Sequence, residues 1–150
     1  PNEYHKGEMA SVVFKSFWQI RDTGRVRLFR SYSDGYADGE QRRDFVYVKD
    51  CVAVIEWFLQ QHGGGLFNLG TGAARTWNDL AHAVFRAMKT APGIEYVEMP
   101  IVLRGRYQYF TQADMTKLRS AGCPVEFHSL EDAVQDYVVN YLQSAEAHLA

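Results

Sequence analysis

Two cysteines, four prolines and no long apolar run set the first limits on this 150-residue chain. Cys51 and Cys123 are too few for a disulfide framework, and Cys51 falls in an apolar stretch. That setting reads as a buried structural thiol of the kind a reducing cytoplasm preserves. No segment approaches the length of a membrane span and no signal-peptide pattern opens the chain, so no membrane partner is expected. His5, His62, His82, His128 and His148 are scattered, and no Cys/His spacing resembles a zinc site; no metal is expected. No serine lies in a nucleophile elbow. A net charge of −2 offers nucleic acid or anionic lipid no general attraction. Repeats, low-complexity tracts and linkers are missing too. The first residue is Pro1 rather than Met, so the chain is expected to begin elsewhere than its gene does.

What is present suits one packed domain over residues 1–150: 47% of residues are hydrophobic and 14% aromatic. The charge is uneven. Nine of the sixteen Lys and Arg fall within residues 1–50 and none follows Arg119, while Arg21, Arg25, Arg27 and Arg30 face the single acid Asp22. A local basic region in a mildly acidic chain fits a small anionic ligand better than a polyanion.

Helical and extended patterns alternate in the α/β manner. Met9 to Ile20 reads as a helix with Ala10, Val13, Phe14 and Phe17 on one face. Val26 to Phe29 reads as a strand, and residues 30–41 as a polar loop long enough to be a binding loop. Phe45 to Val48 is apolar at every position, predicting a strand covered on both faces, with Asp50 as N-cap of an apolar helix over residues 51–59. Gly63-Gly64-Gly65 would end that helix before a buried strand at Leu66 to Leu69. Three Ser/Thr-x-x-acid signatures mark helix starts at Thr76, Thr111 and Ser129, with Asp79, Asp114 and Asp132 as their acids. The first opens an amphipathic helix through Met88, the second a helix ended by Gly122, the third a helix through Leu142. Ile94 to Met99 reads as a strand stopped by Pro100.

Several residue groups could carry chemistry. Arg42 and Arg43 stand at the entrance of the Phe45 strand, where guanidiniums could fork a phosphate or sit solvated beside Asp44. Gly70-Thr71-Gly72 begins like a dinucleotide fingerprint, but the third glycine and the acidic residue about 20 positions on are missing, so a tight turn is the better account. Lys6, in a turn-like stretch between His5 and Gly7, reads first as a solvated charge. Arg104-Gly105-Arg106-Tyr107 is a second basic-aromatic cluster, either a polar loop or another arm of a phosphate or sugar site.

Four stretches resemble the C-terminal part of the extended short-chain dehydrogenase/reductases, among their NAD-dependent nucleotide-sugar epimerases and dehydratases. They are Glu3-Tyr4-His5-Lys6-Gly7-Glu8-Met9, Arg43 through Asp50, Phe67 through Gly72, and Arg104 through Thr111. The second and third are common across that superfamily. His5-Lys6-Gly7 and Gly105-Arg106-Tyr107-Gln108 resemble a narrower branch, which inverts carbon six of an ADP-bound heptose. The resemblance implies an α/β substrate-binding portion, with the helix near residues 51–60 and the strand at 66–69 completing a Rossmann sheet. It implies Lys6 as catalytic acid/base and cofactor contact, provided desolvation or a nearby positive charge lowers its pKa. It makes Glu8, Lys15, Phe29, Arg43 and Tyr107 substrate contacts, an ADP-sugar the substrate, and NADP a cofactor bound mainly by an N-terminal part.

The sequence departs from that pattern in several places. Glu8 stands where other members carry a small hydroxyl residue, Lys15 where some have histidine, and the 30–41 loop is longer than in some members. The glycine-rich fingerprint, the Tyr-x-x-x-Lys motif and the catalytic serine are missing. A cytoplasmic isomerase fragment, inactive alone and prone to homo-oligomerise through uncovered apolar surface, is therefore expected. The same portion of a hexose 4-epimerase or dehydratase, or a non-catalytic sugar-nucleotide-binding module, are the alternatives.

Overall fold

Ser11 starts the first helix where the amphipathic pattern predicts one, its hydroxyl accepting from the Phe14 amide at 3.2 Å. The computed structural model describes residues 3–61 and 64–144. A single 3-10 turn, Gly7–Met9, precedes this helix, α1 (Val12–Thr23). Gly24 ends it at φ 71°, a left-handed conformation that glycine adopts without a Cβ clash. There follow β1 (Val26–Phe29), the irregular 30–41 loop, β2 (Arg42–Arg43), α2 (Val48–Leu59), β3 (Arg75–Thr76), α3 (Trp77–Met88) and β4 (Ile94–Val97). The short helices α4 (Ile101–Arg104) and α5 (Thr116–Ser120) lead to α6 (Leu130–Tyr137), which runs on as a wider π turn over Val138–Leu142.

β1 and β4 pair in parallel, Val26 opposite Ile94 and Phe29 opposite Val97, with α3 in the crossover. β2 and β3 pair antiparallel, Arg42 opposite Thr76 and Arg43 opposite Arg75. The main core lies between the β1–β4 pair and helices α1, α3 and α6. Phe17, Ile20, Val26, Leu80, Val84, Phe85, Val134 and Val138 are buried there. A smaller cluster of Val54, Leu118 and Cys123 joins α2 to α5, with Trp57, Phe58, Phe67 and Phe127 packed around it.

Two capping signatures act as read. Thr76 and Asp79 form a reciprocal capping box at α3, and Ser129 accepts from the Asp132 amide at 3.1 Å at α6. The Thr111 signature does not. Thr111 N–H donates to the Arg42 carbonyl at 3.2 Å, and the five-residue α5 begins at Thr116, whose amide the Asp114 carboxylate caps.

The expected strand at Phe45 to Val48 is also corrected. Only Arg42 and Arg43 stay in a ladder, because Asp44 turns its carboxylate onto the amides of Thr71, Gly72 and Ala113 and the chain leaves the pairing. α2 then starts at Val48 with Tyr47 as N-cap residue, and Val46 and Val48 are exposed. Asp50 is a first-turn residue whose buried carboxylate accepts from the His128 amide at 3.0 Å instead of capping. α2 is not enclosed: Val54 is buried, Cys51 half-buried, while Val52, Ile55 and Leu59 face solvent. Leu66 to Leu69 forms no strand. Phe67 and Leu69 pack on the small cluster, Leu66 is exposed, and no strand among the described residues lies beside them to complete a Rossmann sheet. Pro1, Asn2, His62, Gly63 and His148 lie outside the described residues. No described helix is long and apolar enough to cross a membrane, and no described cluster of His, Cys, Asp or Glu could hold a metal ion.

Candidate functional site

Three adjoining cavities run along one side of the main core. The first, of about 250 Å³, is walled by Val12, Phe29, Trp77 and Tyr107, with Arg27 at its side. The second, of about 280 Å³, shares Val12 and Trp77 with the first and adds Val13, Phe45, Val46 and Tyr137. The third, of about 240 Å³, shares Val13, Val46 and Tyr137 with the second and is walled by Glu3 and Lys6 at its far end. The strand β1 presents Phe29, the 104–110 segment presents Tyr107, and the β2–β3 pairing sets Arg43 and Trp77 beside them.

Arg43 lies over the Tyr107 ring, its guanidinium carbon 5.2 Å from the centroid, and 6.0 Å from the Trp77 centroid. A cation over aromatic faces is held without losing its charge. One Nη donates to the Arg42 carbonyl at 2.8 Å, and Arg43 has no carboxylate partner among the described residues. Asp44 is not that partner. Its two oxygens accept from Thr71 N–H (2.7 Å), Thr71 O–H (2.6 Å), Gly72 N–H (2.9 Å) and Ala113 N–H (3.0 Å). Burial alone would raise its pKa, but these four donors outweigh burial and hold it below the usual carboxylate range. Arg42, by contrast, contributes backbone bonds to Tyr109 and Thr111 while its side chain is exposed. Burial raises the Tyr107 hydroxyl's pKa despite the nearby Arg43, so it stays a neutral donor and acceptor.

At the other end Glu3 is buried and fixed by three donors: Ser11 N–H at 2.6 Å, Ser11 O–H at 2.7 Å and Tyr137 O–H at 2.8 Å. Burial opposes its charge, yet these bonds hold its pKa down, and burial with the same bond raises that of Tyr137. Lys6 Nζ stands 3.9 Å from Glu3 Oε2 with its side chain 45% exposed. The setting expected for a lysine base, desolvated or flanked by a cation, is therefore not the one among the described residues; the flanking charge is a carboxylate. Glu8 and Lys15 turn to each other instead of to the cavities: Lys15 Nζ donates to the Glu8 carbonyl at 2.5 Å and its carboxylate at 3.1 Å, and the Glu8 side chain is fully solvated.

The Arg104 cluster splits. Arg104 donates to Glu98 at 3.0 Å and stacks on Tyr32 at 3.8 Å, while Arg106 is exposed, so only Tyr107 reaches the first cavity. Tyr32 O–H also bonds Glu98, and its amide donates to Tyr109 O–H at 3.0 Å, which ties the 30–41 loop to the 104–110 segment.

The Gly70–Gly72 turn does not fit a cofactor pyrophosphate, because the Asp44 carboxylate already occupies the Thr71 and Gly72 amides. A Cβ at Gly70 would sit 2.6 Å from that carboxylate, so the close approach requires glycine.

Reading the sequence passed over Glu3, Asp44 and Trp77. An acid three residues before Lys6 was the available sign for Glu3; the partners of Asp44 lie 27 to 69 residues away and leave no local trace.

Residues 1–70 match the model of the NAD dependent epimerase/dehydratase family. The chain is 61% identical over 150 residues to ADP-L-glycero-D-manno-heptose-6-epimerase of Nitratidesulfovibrio vulgaris, covering 99% of this chain and 46% of that protein. It is 47% identical over 156 residues to the protein of the same name from Fusobacterium nucleatum, covering 99% and 47%. Among solved structures, Helicobacter pylori ADP-L-glycero-D-manno-heptose-6-epimerase superposes with a TM-score of 0.76 at 24% identity, over 93% of this chain and 40% of that one. The fold is thus that of the matched part of the Helicobacter pylori structure. The chain spans about half the length of the curated relatives it matches.

Proposed function

We propose that this chain is the substrate-binding portion of an ADP-glyceromanno-heptose 6-epimerase, an isomerase of lipopolysaccharide core synthesis in the cytoplasm. The reaction would interconvert ADP-D-glycero- and ADP-L-glycero-D-manno-heptose by oxidation and re-reduction at carbon six. NADP supplies that redox chemistry when bound, and its cradle is assigned outside these residues because the Gly70–Gly72 turn is already filled by Asp44.

The observation that carries the reading is the row of cavities with Arg43 and Tyr107 at one end and Lys6 at the other. An ADP-sugar matches it in kind: a flat base and diphosphate for the aromatic, cationic end, and a hydroxylated sugar for the end where Lys6 and Glu3 stand. Arg43 is uncommitted to any described carboxylate and is assigned to the diphosphate. Phe29 and Tyr107 bound the base. Lys6 holds or moves a proton at the sugar and meets the cofactor edge, with Glu3 setting the position of its ammonium. Glu8 and Lys15, paired with each other here, are assigned to the sugar once that surface pair opens; as an exposed ion pair it is cheap to break. The 61% identity to a protein named for this activity supports the substrate choice over a UDP-sugar.

Titration calorimetry tests the reading. ADP-mannose should bind the chain more tightly than UDP-glucose does. Arg43→Ala should weaken it roughly 30-fold or more, from loss of a desolvated charge contact, while Arg42→Ala changes it less than about twofold. Equal effects at both arginines, or a preference for UDP-glucose, would overturn the assignment. With NADP and ADP-heptose the isolated chain should give no interconversion.

A further inference from the structure

A buried carboxylate needs donors, and Glu3 collects them from two helices. Ser11, the N-cap of α1, gives Oε2 its backbone N–H at 2.6 Å and Oε1 its hydroxyl at 2.7 Å. Tyr137 gives Oε1 a second donor, its buried hydroxyl, at 2.8 Å. That tyrosine is the last residue of α6, where the helix widens into the π turn, and such widenings recur at functional sites. Lys6 lines the same cavity, with its Nζ 3.9 Å from Glu3 Oε2. It is near enough to be attracted and too far to hydrogen-bond, so its ammonium hydrogens are committed to no group among the described residues.

A carboxylate and an ammonium this close gain from closing into a charge-assisted hydrogen bond. The donors already on Glu3 remove much of that gain. Ser11 alone would leave Oε1 with one donor fewer and the carboxylate able to pivot about two bonds to a single residue. Lys6 stands beside it and would fill the place. The third bond, from α6, fixes the plane of the carboxylate and supplies the missing donor.

We propose that Tyr137 is a positioning residue: by occupying Glu3 it keeps the Lys6 ammonium beside the carboxylate yet free to donate to the sugar of a bound nucleotide. The inference rests on the nucleotide-sugar reading, in which Lys6 serves the sugar, and adds what keeps Glu3 from capturing it. Tyr137 acts here through Glu3, and the bond that matters is a buried one between residues 134 positions apart.

The test compares ADP-mannose, which carries a sugar on its diphosphate, with ADP, which carries none. Tyr137→Phe removes the hydroxyl and keeps the ring; calorimetric titration follows once circular dichroism has confirmed the fold. The variant should bind ADP-mannose about fivefold more weakly and ADP less than about twofold. Lys6→Met should weaken ADP-mannose at least as much, and adding Tyr137→Phe to it should cost nothing further, because the two act as one unit. In spectra of 15N-labelled lysine ammonium groups, the Lys6 signal should exchange with water more slowly in Tyr137→Phe, as the pair closes. Equal losses for ADP and ADP-mannose, an undiminished loss in the Lys6→Met background, or an unchanged Lys6 exchange rate would reduce Tyr137 to a piece of the wall and overturn the proposal. Unchanged ADP-mannose affinity in Tyr137→Phe would overturn it as well. If Lys6→Met leaves ADP-mannose unaffected, or the unaltered chain binds neither nucleotide, the nucleotide-sugar reading itself fails and the Tyr137 assignment falls with it.

Discussion

The two apolar clusters of this protein are built to different degrees of completion. In the main core, α1, α3 and α6 each turn an apolar stripe into one buried cluster with β1. Leu80, Val84, Phe85 and Val138 are almost wholly removed from water. The smaller cluster buries Val54, Leu118 and Cys123, yet α2, the most apolar of the long helices, leaves Val48, Val52, Ile55 and Leu59 exposed. Those positions, spaced by four, three and four residues, share one helix face. The difference teaches that α2 has more apolar surface than its neighbours among the described residues can cover. The main core is sufficient by itself; the α2 side is not.

Substitutions of matched kind should expose that asymmetry. Phe85→Ala empties a site without solvent access in the main core, and about 4 kcal/mol of stability should be lost in urea denaturation. Leu118→Ala is equally buried but sits among half-covered neighbours able to collapse into the gap, and about 2 kcal/mol should be lost. A Leu118→Ala cost equal to that of Phe85→Ala would mean that the two clusters are packed alike.

Legibility in the sequence follows the same division. α3 and the start of α6 were readable because their signals are local: an N-cap, an acid three residues on, and a 3.6-residue stripe. β1 was readable from four residues. The run at Phe45 to Val48 was not, because what ends its pairing is Asp44, whose four donors come from two distant segments. Leu66 to Leu69 looks like a strand by composition, but an apolar run becomes a strand only beside a partner, and composition cannot supply one. For the candidate site, the resemblance pointed to Phe29 and Tyr107, which line one cavity, and to Arg43, which lies over the Tyr107 ring. It also pointed to Glu8 and Lys15, which the fold pairs with each other. Glu3 escaped notice because the hydroxyl that fixes it, on Tyr137, is 134 residues away.

Asp136 stitches the two regions together, and its titration tests how firmly. On α6 it accepts from Tyr47 O–H at 2.6 Å and Lys49 Nζ at 2.7 Å, which lie at and just inside the start of α2, and from Asn140 at 2.7 Å. Burial would raise its pKa; the three donors reverse this and bring it to about 2. Because the folded pKa lies below the unfolded value of 3.8, the stabilisation is complete above that value and is lost as pH falls toward 2. With Lys49 partly exposed, solvent screening reduces the contribution to about 1 kcal/mol. Asp136→Asn should therefore cost about that much at pH 6 and almost nothing at pH 2. An undiminished cost at pH 2 would show that shape, not charge, makes the stitch.

The smallest expected effect on stability comes from the exposed face of α2, and it sharpens the comparison most. Val52→Ser and Ile55→Ser remove apolar atoms that water already reaches, so unfolding free energy should change by less than about 0.5 kcal/mol. Association should respond instead. We propose that copies of the isolated chain cover this face with one another, since a contiguous apolar stripe is a sticky surface whatever its eventual partner. Light scattering at high concentration should then give a mass above that of the monomer, and the double variant should bring it down. If the unaltered chain is already monomeric there, the uncovered stripe is too small to drive association. A loss of stability without a change in mass would mean that the stripe belongs to the fold, and that the small cluster is more complete than its exposure indicates.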